Sequence, residues 1–170
     1  MDYPLLRILD LGVLYDAGKV DDFTDLLKQA TDLLAPFAVS EEEFLDSVFM
    51  EYVPRIQYRE ATIIGLFDGS AIAGAAIVAK NQFDSKGETL FGKNAEVVAF
   101  GISDEYLGRE TSDELAEYAL KWLGCLTPLC IATPRMMNSL QPVITDYKWK
   151  LEEARQENGT LLKVFNRYEK

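Results

Sequence analysis

The chain contains no histidine. That absence removes Ser-His-Asp and Cys-His nucleophile systems and every His-ligated zinc site, so a general base has to be Asp, Glu, Tyr, Lys, Cys or a relayed water. Cysteine is nearly as scarce. Cys125 and Cys130 both sit among apolar residues, which reads as a pair of buried reduced thiols rather than a metal site. No apolar run approaches the roughly 18 to 20 residues a membrane span needs. The start, MDYPLLRILDLG, lacks the cationic-then-apolar order of a signal peptide. A cytoplasmic location is expected. Repeats, low-complexity tracts and Pro/Gly/Ser-rich linkers are missing as well, so 170 residues are expected to fold as one domain with a real core.

Positive charge is in short supply: 17 basic residues stand against 28 acidic ones, a net charge of −11. Such a surface repels phosphate backbones and anionic membranes, so neither nucleic acid nor membrane is expected as a partner. What is present is ordinary globular composition, 48% hydrophobic and 26% charged.

LLRILDLG (5–12) is short, apolar and compatible with a strand. In VDDFTDLLKQATDLL (20–34) Phe23, Leu26, Leu27, Ala30, Leu33 and Leu34 recur at helical spacing. SEEEFLDSVFMEYV (40–53) is a second helix, opened by a Ser40/Glu43 capping box and closed by Pro54. Two β-rich arms flank Asp68-Gly69 within 61–80, a strong hairpin signal. Residues 81–94 are polar and read as a loop or excursion. AEVVAFGIS (95–103) is another apolar strand. Thr111 and Glu114 then form a capping box ahead of a helix carrying Leu115, Tyr118, Ala119, Trp122 and Leu123. LTPLCIATP (126–134) is a buried strand ending at Pro134. NSLQPVITDY (138–147) is a short helix with Asn138 as N-cap, and KWKLEEARQ and TLLKVFNRY pair through Asn158-Gly159.

The expected order is therefore β-α-α-β-β-β-α-β-α-β-β, an α/β domain on one mixed central sheet. Residues 1–60 supply a strand and two helices; 61–170 supply the hairpin, crossover and terminal hairpin. This order, from about Leu5 to Arg167, resembles the GNAT fold of acetyl-CoA-dependent N-acetyltransferases. The resemblance implies a bulged strand at Glu96–Ser103 whose backbone meets the cofactor, with Phe100, Gly101 and Ile102 as contact positions and Gly101 as the place for the bulge. It also implies a diphosphate cradle at the following helix start, over Gly108, Arg109, Glu110, Thr111 and Ser112. The family's R/Q-x-x-G-x-G/A turn is degenerate here. Glu110 and Ser112 replace its glycines, Asp104, Glu105, Asp113 and Glu114 crowd it, and Arg109 is the lone cation.

Glu96 is the candidate catalytic base and Tyr147 the candidate acid, the latter although the family's N-x-x-A-x-x-[LF]-Y spacing started at Asn138 would place Thr145 there. Each also has a purely structural reading, as a strand-end carboxylate and a packed ring. Acidic side chains in a first turn stabilise a helix without any ligand, and this reading is favoured over a working cradle. Two functions stay open. The favoured one is a non-catalytic binding or assembly protein, of the kind found among phage-particle components and then virion-associated. It would act through a protein partner or homo-oligomer, by the N-terminal helices or residues 81–94. The alternative is an acetyl-CoA-dependent N-acetyltransferase acting on an amine acceptor.

Overall fold

The computed structural model describes residues 6–38, 40–80, 95–124, 128–146, 149–157 and 160–167. Seven strands form one sheet in the order β1-β2-β3-β4-β5-β7-β6, with β1 Leu6–Asp10, β2 Ala61–Asp68, β3 Ala71–Lys80, β4 Ala95–Ile102, β5 Pro128–Ala132, β6 Trp149–Glu157 and β7 Thr160–Arg167. β4 and β5 are parallel and every other neighbouring pair is antiparallel. The Asp68-Gly69 hairpin forms, with Gly69 at φ 61° and Asp68 opposite Ala71. The expected loop at 81–94 and the turn at 158–159 lie outside the described residues.

The helices are α1 Leu11–Asp16, α2 Val20–Leu34, α3 Glu41–Ser47, α4 Val53–Ile56, α5 Arg109–Leu123 and α6 Pro134–Asp146. Side chains alternate across β2, β3 and β4 to feed two cores. Ile64, Ala76, Val78, Val97 and Phe100 pack beneath α5 and α6. Ile63, Ala75, Ile77, Ala79 and Ala99 pack beneath α1–α4. The small residues of β3 let these layers close: a Cβ on Gly74 would lie 2.6 Å from the Ile102 side chain.

Four expectations are corrected. The strand at 5–12 stops at Asp10, because that carboxylate accepts the Gly12 amide at 2.8 Å and starts α1. Pro54 does not end the second helix. Ser40 caps α3 as expected, with its hydroxyl accepting the Glu43 amide at 3.3 Å. A π-helical segment, Val48–Tyr52, then carries the chain into α4, and Val53 donates to Val48 five residues back. Pro54 thereby falls in the first turn of α4, where a missing N–H is tolerated. α5 starts at Arg109 with Gly108 as N-cap rather than at Thr111, since the Ser112 amide already donates to the Gly108 carbonyl four residues back. α6 likewise begins at Pro134. The Thr133 hydroxyl accepts the Met136 amide at 3.3 Å, so Asn138 is not the cap.

One polar knot ties the layers together. The buried Asp10 carboxylate accepts the Gly12 amide, the Thr62 hydroxyl and the Tyr118 hydroxyl, joining α1, β2 and α5. Burial, reinforced by the bond to Asp10, pushes Tyr118 up to about 12. Beside it lies a cavity of about 340 Å³ where the Lys80 ammonium sits 4.4 Å from the Trp122 ring centroid. Trp122 packs against the core, as expected of it. Among the described residues, no helix is long and apolar enough to cross a membrane.

Candidate functional site

β4 is the strand on which the expected site residues converge. Ala95 and Val97 point into the α5/α6 core. Glu96, between them, therefore faces the α1–α4 layer. Its partner across β3 is Ala79, which packs with Tyr52 of the π-helical segment. Arg55, one turn beyond, reaches the same end of β3: its guanidinium donates to the Lys80 carbonyl and stands 3.5 Å from the Glu60 carboxylate. Glu96 thus sits half-buried under Glu51, Tyr52 and Arg55. Burial, then the Glu51 carboxylate, raises its pKa to about 7, against the opposing pull of Arg55. Tyr52 is raised chiefly by burial, with Glu96 and Glu51 adding to it, and so stays protonated.

The neighbouring backbone is irregular. β4 pairs with β5 only from Ala95 to Val97, opposite Pro128 to Cys130. At that point the register with β3 shifts, Ile77 opposing Ala99 and Val78 opposing Val97. Val98 is the extra residue, so the bulge lies there and not at Gly101. The reason is packing: Val98 and Ala99 both turn toward the α1–α4 core, which a regular strand could not do. Beyond the bulge β4 and β5 part.

Phe37, on the 3₁₀ turn after α2, lies over this fork, its ring 3.0 Å from where a Gly101 Cβ would be. The Thr133 hydroxyl donates to the Phe37 carbonyl, and the Arg135 guanidinium lies 5.0 Å from the ring centroid. The Ile102 amide is held by the Ser139 hydroxyl at 3.0 Å. Phe100 and Ile102 have buried side chains, and the Ile102 amide is already taken by Ser139, so neither side chain nor that amide is offered to the fork.

At the end of β4 a 3₁₀ turn, Asp104–Tyr106, leads to Gly108. Here φ is 173°, the N-cap glycine supplies no side-chain cap, and a Cβ would meet nothing within 4 Å. The Ser112 amide donates to the Gly108 carbonyl at 3.1 Å, which leaves Arg109, Glu110 and Thr111 as the first-turn amides without an intrahelical acceptor. Ser112 itself is fully buried, and its hydroxyl has no hydrogen-bond partner among the described residues. It faces the core rather than the outside of the turn. Asp104, Glu105, Glu110 and Glu114 are exposed, so their repulsion of an anion is screened by water. Tyr147 lies outside the described residues.

The structure brings Glu96, the bulge and the fork together and sets the Gly108–Thr111 turn at the fork's far end. Sequence reasoning gives Glu51, Tyr52 and Arg55 no part in the site: Glu51 and Tyr52 lie in the expected second helix, Tyr52 on its packed stripe, and Arg55 falls beyond the supposed terminator Pro54.

No family model matches the chain, and no curated protein matches it in sequence. Solved structures do match in fold. FeeM, an N-acyl amino acid synthase from uncultured soil microbes, aligns with a TM-score of 0.58 at 14% identity, over 98% of this chain and 92% of its own. The ribosomal-protein-S5-alanine acetyltransferase of Vibrio fischeri aligns at 0.54 and 12%, over 98% and 93%. The PaiA N-acetyltransferase of Thermoplasma acidophilum, solved with coenzyme A, aligns at 0.53 and 14%, over 96% and 99%. With its sheet order, its bulged and forked fourth strand and these likenesses across nearly the whole chain, this protein has the GNAT fold.

Proposed function

We propose that the protein is an acyl-CoA-dependent N-acyltransferase in which Glu96 takes the proton from an ammonium-bearing acceptor. The observation that carries this reading is the setting of Glu96, a carboxylate beside the start of the fork with its pKa raised to about 7. A base so poised is partly ionised at neutral pH and still takes up a proton readily. A strand-end carboxylate with only a structural role has no need of that environment, and an ordinary solvated glutamate would stay near 4.5. The fold neighbours bear acetyltransferase and acyl-transfer names. They favour the enzymatic reading over the non-catalytic one that the degenerate turn suggested, and none of them points to a phage particle.

The residues present fit a coenzyme A diphosphate despite the missing glycines. The uncapped amides of Arg109, Glu110 and Thr111 would hold it at the positive end of α5, with open space outside Gly108 for its approach. The bound thioester would supply the activated acyl group. Glu96 keeps its proton affinity through burial and Glu51, while Arg55, anchored to Lys80 and Glu60, limits the rise. Neutral Tyr52 adds no charge of its own. Tyr147 is the residue we assign to protonate the thiolate, although the family's spacing started at Asn138 would place Thr145 there.

Calorimetric titration with acetyl-CoA tests the cofactor, and thiol release with a panel of primary amines tests turnover. Glu96→Gln is expected to bind acetyl-CoA like wild type and to lose turnover by two to four orders of magnitude, roughly the contribution of a general base. An absence of heat at millimolar acetyl-CoA defeats the proposal.

A further inference from the structure

The helical layer opposite α5 and α6 exposes what a solitary protein normally hides. Seven large hydrophobic residues are exposed among the described ones, and six of them (Val13, Tyr15, Val20, Phe49, Met50 and Tyr58) come from α1–α4 and their connections. Val20 is 71% exposed and Met50 81%. Between α1, the start of α2 and α4 runs an open groove of about 800 Å³, floored by Leu14, Phe23, Val53 and Ile56, with Tyr15 and Val20 beside them. Scattered single hydrophobics need no explanation, but Tyr15 and Val20 stand exposed on an open apolar groove, which marks a binding face.

The same layer holds most of the net charge. Residues 11–60 contain eleven acidic and four basic side chains, against seventeen and thirteen in the rest of the chain. Asp21 and Asp22 are exposed in the first turn of α2, at the groove's edge. Asp16 lines the groove and is held by Arg59 at 3.3 Å. That pair is largely exposed, and such pairs contribute little, so an incoming cation can take Arg59's place.

We propose that this groove docks a cationic amphipathic helix of a partner protein, its apolar stripe against Tyr15, Val20 and Phe23 and its Lys or Arg residues over Asp16, Asp21 and Asp22. Helix in groove is the fitting mode because the walls are helices and offer no free strand edge. A second copy is disfavoured by charge, since it would bring the same acidic layer face to face with itself. Lipid surfaces and nucleic acids are disfavoured for the same reason. The inference does not depend on catalysis.

The test uses a synthetic peptide with Leu at i, i+3, i+4, i+7 spacing and Lys elsewhere, against a scrambled peptide of identical composition, measured by fluorescence anisotropy on the full chain. The patterned peptide is expected to bind at least about tenfold more tightly, equivalent to about 1.4 kcal/mol. Val20→Asp separates groove from charge, because it adds a negative charge while removing an exposed apolar contact. It is expected to weaken binding severalfold with an unchanged circular dichroism spectrum. Asp21→Asn with Asp22→Asn is expected to weaken it and to flatten its salt dependence. Equal affinity for the scrambled peptide, or equal or tighter binding by Val20→Asp, reduces the effect to bulk charge and overturns the proposal. So does light scattering that shows a dimer abolished by Val20→Asp, which would make a second copy the occupant.

Discussion

Replacing Glu96 by glutamine provides a test of its environment that needs no substrate. The native carboxyl is raised from 4.5 to about 7, whereas in the unfolded chain it returns to the ordinary value. The native state therefore holds this proton more tightly. Its stabilising contribution is complete below about pH 4.5 and is lost as pH rises through about 7. At 1.36 kcal/mol per pKa unit the contribution is about 3 kcal/mol at most, and partial solvent access at this half-buried site brings it lower. Glutamine has the same shape and never ionises. The gap in melting temperature between Glu96→Gln and wild type should widen in the variant's favour from pH 5 to pH 8. A domain of this size shifts by about 2 to 4 °C per kcal/mol, so the widening should be several degrees, with roughly 6 to 12 °C as its upper bound. Differential scanning calorimetry of both proteins across that range measures it, and comparing the two cancels the other titrating groups. A gap that stays constant with pH would mean that Glu96 titrates as a solvated carboxylate, and the assignment of the base would fall with it.

Glu51→Gln removes the second cause of the raised Glu96 pKa, so the alkaline-rising limb of kcat/KM should move to lower pH; Arg55→Met should move it the other way, and a limb fixed in both variants would refute the cluster. At Gly108 stability and binding should part company. Gly108→Asp supplies the missing N-cap and should leave the melting temperature unchanged or slightly raised, while its carboxylate takes the amides of the first turn and lowers acetyl-CoA affinity by at least about tenfold; calorimetry that finds binding unchanged would place the diphosphate elsewhere. Thr62→Val removes one donor from buried Asp10 and should cost about 1 to 3 kcal/mol in urea unfolding, and a cost near zero would show that water replaces the hydroxyl.

The legible part of this protein is what rests on periodicity and turn chemistry. The stripe of Val20–Leu34 and the Asp68-Gly69 hairpin stand where the pattern put them, because each is decided by residues adjacent in sequence. The misplaced boundaries have more than one cause: Asp10 and Thr133 are local side-chain caps, whereas the others depend on how the helix continues. Thr111 is a good cap by itself, yet the Ser112 amide bonds back to the Gly108 carbonyl, so the helix begins earlier and its N-cap is a glycine. Pro54 is a good terminator by itself, yet a π turn carries it into α4 and sets Glu51, Tyr52 and Arg55 over β4. Glu96 could be read as a candidate base from its strand. Its raised proton affinity could not, because burial and the Glu51 field come from a helix some forty-five residues earlier.

The degenerate turn therefore weighs less against catalysis than its sequence suggests. Glycines in such a turn serve to clear side chains from the approaching anion and to free the amides. At Gly108 both conditions are met locally, since a Cβ there would meet nothing within 4 Å and the N-cap glycine offers no side-chain cap. Ser112, standing where a glycine was expected, lies on the inner side and obstructs nothing outside. What remains opposed to a diphosphate is charge: Asp104, Glu105, Glu110 and Glu114, all exposed. Repulsion between solvated charges at close range is about 1 kcal/mol each and is screened by salt. Acetyl-CoA affinity should consequently rise with ionic strength, opposite to a cradle built from lysine and arginine. Calorimetry at low and high salt checks the sign, and tighter binding at low salt would show that Arg109 dominates the turn.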